Sequence, residues 1–361
     1  MPTEERDAEG GGLSRRAMIK AAGGTAAVAW AAPTVLSIGT AAAAGSLAPP
    51  PPPTCGCQDA LSRHACGPDT FCEFVVPTAN SFPTWIALGP DGALWFTEVF
   101  GNKIGRVTTG GVFTESTIPT GLASPLQIVL GPDGALWFTE DRSPGKIGRV
   151  TTGGIFTEFT TPTANSFPTG IVLGPDGALW FTENNANKIG RVTTGGAFTE
   201  FTIPTVASRP VGIVLGPDGA LWFTEQGGNK IGRVTTGGAF TEFTIPTASS
   251  TVAWITLGPD GALWFTEENA NQIGRVTTGG AFTEFTIPTA NSNPYGIIPG
   301  LDGALCFTES FGNKIGRVTT GGVFTEFTIP TANGPGGIAV GPDGALWFTV
   351  AGSNKIGVLT P

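Results

Sequence analysis

The chain has 361 residues, with 19 Lys and Arg, 28 Asp and Glu and one histidine, for a formal net charge of −9. An acidic balance of this size excludes a nucleic-acid binder, which needs a basic stripe along the phosphates. The 55 glycines and 30 prolines follow no three-residue period, which excludes collagen, and 24 Phe and nine Trp exclude a disordered chain.

Residues 1–44 read as an export signal. Ser14-Arg15-Arg16-Ala17-Met18-Ile19-Lys20 precedes an Ala-rich apolar stretch from Ala21 to Ile38, and Ala41 to Gly45 offers a small-residue cleavage site. This is the form of a twin-arginine signal. A retained membrane anchor is the other reading, weakened by the Ala/Gly-rich run and by Pro33. The expectation is an extracytoplasmic protein, secreted or held at the cell envelope.

Residues 45–71 read as a Pro-rich and Cys-rich linker. Pro49 to Pro53 predict an extended spacer. Cys55, Cys57, Cys66 and Cys72 lie close together, and outside the cell such a cluster reads as two disulfides. Cys55 and Cys57 are too near in sequence to bridge easily, so each pairs with Cys66 or Cys72. A zinc site that adds His64 is the alternative, and the absence of a C-x-x-C pair speaks against it.

From residue 72 to 361 the chain repeats. Gly-Pro-Asp-Gly-Ala-Leu-Trp-Phe-Thr begins at Gly89, Gly131, Gly174, Gly216, Gly258 and Gly341, with an altered copy at Gly300, so the spacing is 41–43 residues. A period near 40–45 residues with about four strands per unit predicts one propeller blade per repeat. In the fourth unit, residues 211–215 read as the inner strand and 216–219 as a turn. Residues 220–225, 230–235 and 240–245 read as the second, third and outer strands, the last ended by Pro246. Trp95, Trp137, Trp180, Trp222, Trp264 and Trp347 recur once per unit and are expected to fill the wedge between blades.

Outer strands follow third strands at Phe113, Phe156, Phe198, Phe240, Phe282 and Phe324, but the chain ends on a third strand, Lys355 to Leu359. Residues 72–78 supply the missing outer strand. The predicted fold is all-β: a seven-bladed β-propeller of four-stranded blades, the last closed by the N-terminal strand, which removes an open sheet edge.

The Gly-Pro-Asp-Gly and Thr-Gly-Gly turns share one face and hardly vary. The loops of the other face do: Val99-Phe100-Gly101, Asp141-Arg142-Ser143-Pro144, Asn184-Asn185-Ala186 and Gln226-Gly227-Gly228. A partner, whether small molecule, peptide or protein, is expected there. Candidate residues of this ligand face are Glu98, Glu140, Glu183, Glu225, Glu267 and Glu309, which end the second strands, with Tyr295 and Arg209; the seventh Glu position is Val350. The glutamates have two readings. One is a partial carboxylate ring holding a divalent cation near the axis. The other is a set of ion pairs with Lys103, Arg106 and their copies, and it is the simpler of the two. The sixth unit departs most, with Tyr295, Pro299, Leu301 and Cys306, the last a buried thiol in the tryptophan position.

The repeat, with Gly-Pro-Asp-Gly-Ala-Leu-Trp-Phe-Thr-Glu, Asn-Lys-Ile-Gly-Arg-Val and Thr-Glu-Phe-Thr-Ile-Pro, closely resembles that of the virginiamycin B lyase (streptogramin lyase) family over residues 72–361. The resemblance implies a seven-bladed propeller that uses magnesium to open cyclic depsipeptides by elimination. It also implies histidines fourteen residues before the second-strand Glu in two consecutive late repeats, with acidic metal ligands nearby. The matching positions here are Thr84, Leu126, Thr169, Val211, Ala253, Tyr295 and Gly336. An elimination needs a base of near-neutral pKa to take the proton α to a carbonyl, and His64 precedes the propeller. The expectation is a monomeric binding or scaffold module with no catalytic or metal-ligating residue assigned. The alternative is a magnesium-dependent carbon–oxygen lyase with a shifted carboxylate base.

Overall fold

In the computed structural model, the described residues are 69–331 and 333–360. The expected export signal, the proline run and Cys55, Cys57, His64 and Cys66 lie outside them. The described residues form seven four-stranded antiparallel sheets. The first blade comprises β2 (Pro83–Leu88), β3 (Leu94–Glu98), β4 (Lys103–Val107) and β5 (Phe113–Thr117), and the next five repeat this order over residues 125–160, 168–202, 210–244, 252–286 and 294–328. The seventh is β26 (Pro335–Val340), β27 (Leu346–Val350), β28 (Lys355–Thr360) and, as its outer strand, β1 (Thr70–Val75). The predicted closure is observed, in a register that runs from Thr70 opposite Thr360 to Val75 opposite Lys355. The closing strand begins at Thr70, ahead of the expected boundary at Cys72. Cys72 is buried in it, and Cys306 is the free cysteine among the described residues.

The turn sequence explains the tryptophan. In the first blade the Trp95 indole N–H donates to Asp91 Oδ1 at 3.0 Å, and Arg106 Nε donates to Asp91 Oδ2 at 2.6 Å. A Cβ on Gly89 would sit 2.3 Å from the indole, so only glycine leaves room for the ring. The indole's apolar body then packs toward the neighbouring blade. Trp137, for example, stacks on Phe159 at 5.5 Å and joins Ile147 against Leu179, Phe181 and Val192 of the third blade. Each fully buried aromatic of this kind contributes about 1.5–3 kcal/mol. Phe74 of the closing strand stacks on Trp347 at 5.9 Å, so the seventh blade is finished in the same way.

A threonine two residues after each of these positions ties the blades together near the axis. The hydroxyls of Thr97, Thr139, Thr182, Thr224, Thr266, Thr308 and Thr349 donate to the inner-strand carbonyls of Leu126, Thr169, Val211, Ala253, Tyr295, Gly336 and Thr84, at 2.6–3.0 Å. In the first six blades the same oxygen accepts an N–H from a bulge in its own inner strand, such as that of Trp85. The bulge frees those backbone groups from the ladder and the threonine satisfies them.

Further out, a lysine, a glutamate and a threonine clasp neighbouring blades. Glu115 accepts from the Thr78 N–H at 2.9 Å, the Thr78 hydroxyl at 2.6 Å and Lys103 Nζ at 2.9 Å. The closing strand repeats this clasp with Glu73, Thr331 and Lys355.

Candidate functional site

The seven inner-strand residues whose carbonyls take the threonine bonds also line two adjoining clefts on the variable-loop face. A cleft of about 880 Å³ is bounded by Leu126, Thr169, Val211, Ala253 and Tyr295, and one of about 630 Å³ by Thr84, Tyr295 and Gly336. Tyr295 and Glu268 belong to both. All seven blades therefore contribute at one axial mouth. Trp85 and Trp254, the next residues along their inner strands, come from blades one and five and meet at 4.0 Å between ring centroids. Tyr295 lies against them at 6.3 and 5.7 Å. Aromatic rings of blades one, five and six thus meet beside Tyr295, which lines both clefts.

The rim is set by a backbone feature of every unit. The residue just before each inner strand has a positive φ: Phe82, Ser124, Phe167, Arg209, Thr251, Asn293 and Gly334. Phe82, Phe167, Arg209, Asn293 and Gly334 line the clefts. A bulky residue such as Phe or Arg is strained there, and such strain concentrates at functional sites.

The second source of side chains is the residue that follows each second strand. Asp141, Asn184, Gln226, Glu268, Ser310 and Ala351 all line the clefts from this position. Burial is the main cause that pushes the Asp141 carboxyl up to about 6, with Arg142 pulling the other way. Burial raises Glu268 to about 7. Tyr295 is pushed up to about 12, chiefly by burial, with the nearby Glu268 and Asp141 charges adding to it. Both carboxyls can therefore give up or take a proton near neutrality.

Ion pairing singles out the same place. Every lysine among the described residues is paired with an outer-strand Glu, and Arg106, Arg149, Arg191, Arg233, Arg275 and Arg317 are paired with turn Asp residues. The two other arginines of the described residues, Arg142 and Arg209, make no salt bridge among those residues, and both line the larger cleft. From Thr70 onward, the charged residues that stand outside the repeat are Asp141, Arg142, Arg209 and Glu268, and all four meet here.

Of the predicted ligand-face residues, the structure brings Arg209 and Tyr295 to the site. It places Glu98, Glu140, Glu183, Glu225, Glu267 and Glu309 elsewhere, at 0–1 % exposure inside their blades and with no hydrogen bond to either carboxylate oxygen. They form neither an axial ring nor ion pairs. In five of these blades the lysine opposite the glutamate reaches outward instead, because the outer-strand Glu already gathers two threonine donors and sits nearer solvent; opposite Glu267 stands Gln272. Burial, then the charge of that outer Glu, raises these carboxyls to about 7 or 8. Val350 fills the equivalent space in the seventh blade with no polar atom at all.

The variable loop that holds Asp141 and Arg142 is expected on this face, and the structure places both in the larger cleft; Glu268 is the residue that sequence reasoning missed. The signal that could have found it is a charge, shared with Asp141, at a position where other units carry Val99, Asn184, Gln226, Ser310 or Ala351. Among the described residues no three His, Cys, Asp or Glu converge as a metal site; Asp141 and Glu268, the two carboxyls of the cleft, are the residues that would hold the magnesium that the family resemblance implies.

The model of the virginiamycin B lyase family matches residues 58–254 and 244–361. A solved streptogramin B lyase is 40% identical, with a TM-score of 0.77 over 80% of this chain and 97% of its own. A catalytically inactive histidine-to-alanine variant of virginiamycin B lyase from Staphylococcus aureus, solved with quinupristin, is 42% identical. Its TM-score is 0.77 over 81% of this chain and 99% of its own. Hydrazine synthase from Kuenenia stuttgartiensis, at 18% identity and a TM-score of 0.67 over 79% of this chain and 97% of its own, shares the fold alone. No curated protein sequence matches the chain. By its repeat, its closed ring and these matches, the chain belongs to the virginiamycin B lyase family.

Proposed function

We propose that this propeller is an extracytoplasmic binding module whose axial clefts take a compact, peptide-like ligand without turning it over at a lyase's rate. The observation that carries the reading is the set of seven inner-strand positions, Thr84 to Gly336, which line the clefts and hold no imidazole. Proton abstraction by a well-placed base is worth about 10²–10⁴-fold. The solved relative carries quinupristin in its inactive form, which makes a cyclic depsipeptide the first ligand to try. Calorimetric titration with quinupristin, with and without magnesium, should show saturable binding. A parallel chromatographic time course should show no ring-opened product. Turnover at family rates by the unmodified protein overturns the proposal.

The lyase reading is favoured by one observation, the desolvated Asp141 and Glu268 carboxyls beside Tyr295. A carboxylate there could take the proton α to a carbonyl while the ester C–O bond breaks and its carboxylate leaves. If ring opening is seen, Asp141→Asn or Glu268→Gln should abolish it while quinupristin still binds.

Delivery outside the cytoplasm rests on Arg15 and Arg16 in the N-terminal segment, with two disulfides among Cys55, Cys57, Cys66 and Cys72. Replacing both arginines by Lys should trap precursor in the cytoplasm. Non-reducing mass spectrometry should find both bridges; four free thiols with bound zinc would overturn them.

A further inference from the structure

The charge pattern of the larger cleft carries the argument further, on the premise that the clefts bind a ligand. The propeller pairs its cations systematically. Each lysine has its outer-strand Glu and each repeat arginine its turn Asp, at 2.5–3.0 Å. Arg142 and Arg209 break that rule together, from blades two and four, and converge on one cleft. Neither belongs to the repeat, so neither is a by-product of building a blade. Arg209 also occupies a left-handed backbone position, φ 49°, where an arginine side chain is tolerated at a cost.

We propose that Arg142 and Arg209 together receive a carboxylate group of the ligand. An exposed guanidinium presents a planar fork of donors that matches a carboxylate, and such charge-assisted bonds are stronger than neutral ones. Gln226, in the same cleft, adds a side-chain amide. The carboxyls of the same cleft limit the charge of the guest. Two carboxyls, Asp141 and Glu268, face the same space as the two guanidiniums, so the balance suits one negative charge rather than a phosphate dianion. The adjoining cleft, with Phe82 and Phe311 on its wall, accepts the apolar part of the same molecule. The ligand class is a linear peptide with apolar side chains and a free terminal carboxylate.

The test uses the full mature protein and three probes: acetyl-Thr-Pro-Phe-Gly with a free carboxylate, the same peptide as its C-terminal amide, and inorganic phosphate. Titration calorimetry should give an affinity for the acid at least about tenfold above that for the amide. Arg142→Gln and Arg209→Gln should each remove that preference with circular dichroism unchanged. Arg233→Gln, which breaks a repeat ion pair away from the cleft, should keep it. Equal affinities for acid and amide, a preference that survives both cleft substitutions, tighter phosphate binding, or no binding of either peptide overturns the assignment. Quinupristin in the same assay separates the two ideas. If it binds while the peptides fail, only the carboxylate subsite falls; if nothing binds, the ligand-binding reading falls with it.

Discussion

The hydroxyl of Thr349 donates to the carbonyl oxygen of Thr84 at 3.0 Å, across 265 residues of sequence. It is the seventh of seven equivalent links, and it joins the last blade to the first. Thr349→Val keeps the shape and removes the donor, leaving the Thr84 carbonyl without it. The cost should be about 1–2 kcal/mol, and thermal unfolding should drop by about 2–4 °C. Deleting residues 46–79 removes β1, its ladder to β28 and the Phe74–Trp347 stack. That midpoint should fall by more than about 10 °C. An unchanged melt after the deletion would mean that β1 does not hold the ring shut.

Cys306 leaves the sixth blade underfilled. A cavity of about 120 Å³ remains between Gly300, Cys306, Phe327 and Leu346, where other blades seat an indole. Gly300 and Asp302 are still in place for the ring and its N–H, and Asp302 still pairs with Arg317 at 2.5 Å. Cys306→Trp should therefore stabilise the fold by about 1–2 kcal/mol, seen as a higher melting midpoint. A lower midpoint would show that Pro299 and Leu301 have altered the slot itself.

The buried second-strand glutamates tie stability to pH. Glu183 titrates near 4.5 when unfolded and at about 8 when folded, mainly through burial, with the Glu200 charge adding and the Lys188 charge opposing. Between those values the folded chain holds a proton that the unfolded chain has lost. Stability therefore falls as pH rises from about 4.5 to about 8 and then levels, while below 4.5 both states are protonated and the contribution vanishes. Glu183→Gln should flatten this slope, gaining about 3–5 kcal/mol over the parent at pH 9 and little at pH 4. Melting curves at pH 4, 7 and 9 decide it; parallel curves for the two proteins would mean that the charged carboxylate finds a partner.

The fifth blade has lost one member of its clasp. Gln272 stands where other blades have lysine, and its Oε1 is buried without a partner, while Glu284 keeps its bonds from Thr247. Gln272→Lys should restore the ion pair. The equivalent lysines are about a quarter exposed, as at Lys230 with 27 %, so the gain should be small, about 0.5–1 kcal/mol. It should shrink in high salt, as urea titrations at low and high ionic strength would reveal.

The fold was legible because the repeat encodes it several times over. Gly89, Asp91, Trp95 and Arg106 specify one another locally, and the count of outer strands forces β1 into the last blade. The site was only partly legible. Tyr295 and Arg209 stand out against the repeat and Asp141 falls in a visibly variable loop, but Glu268 follows a repeat glutamate and is masked by it. One residue decides the environment: Glu140 is 1 % exposed inside the sheet, whereas Asp141, just past the strand, lines the cleft. Alternation along the chain does not reveal where a strand stops, so Glu98 and its copies were read as surface groups when they lie under the loop at Gly101.

The contact between Trp85 and Trp254 makes the propeller a cup instead of a tube. A guest of the clefts enters and leaves by the mouth on the variable-loop face. Whatever occupies that mouth then controls both arrival and departure: a slow-leaving occupant blocks its own replacement. The same two indoles lie against Tyr295, which lines both clefts, so their emission would report on each visitor through that ring.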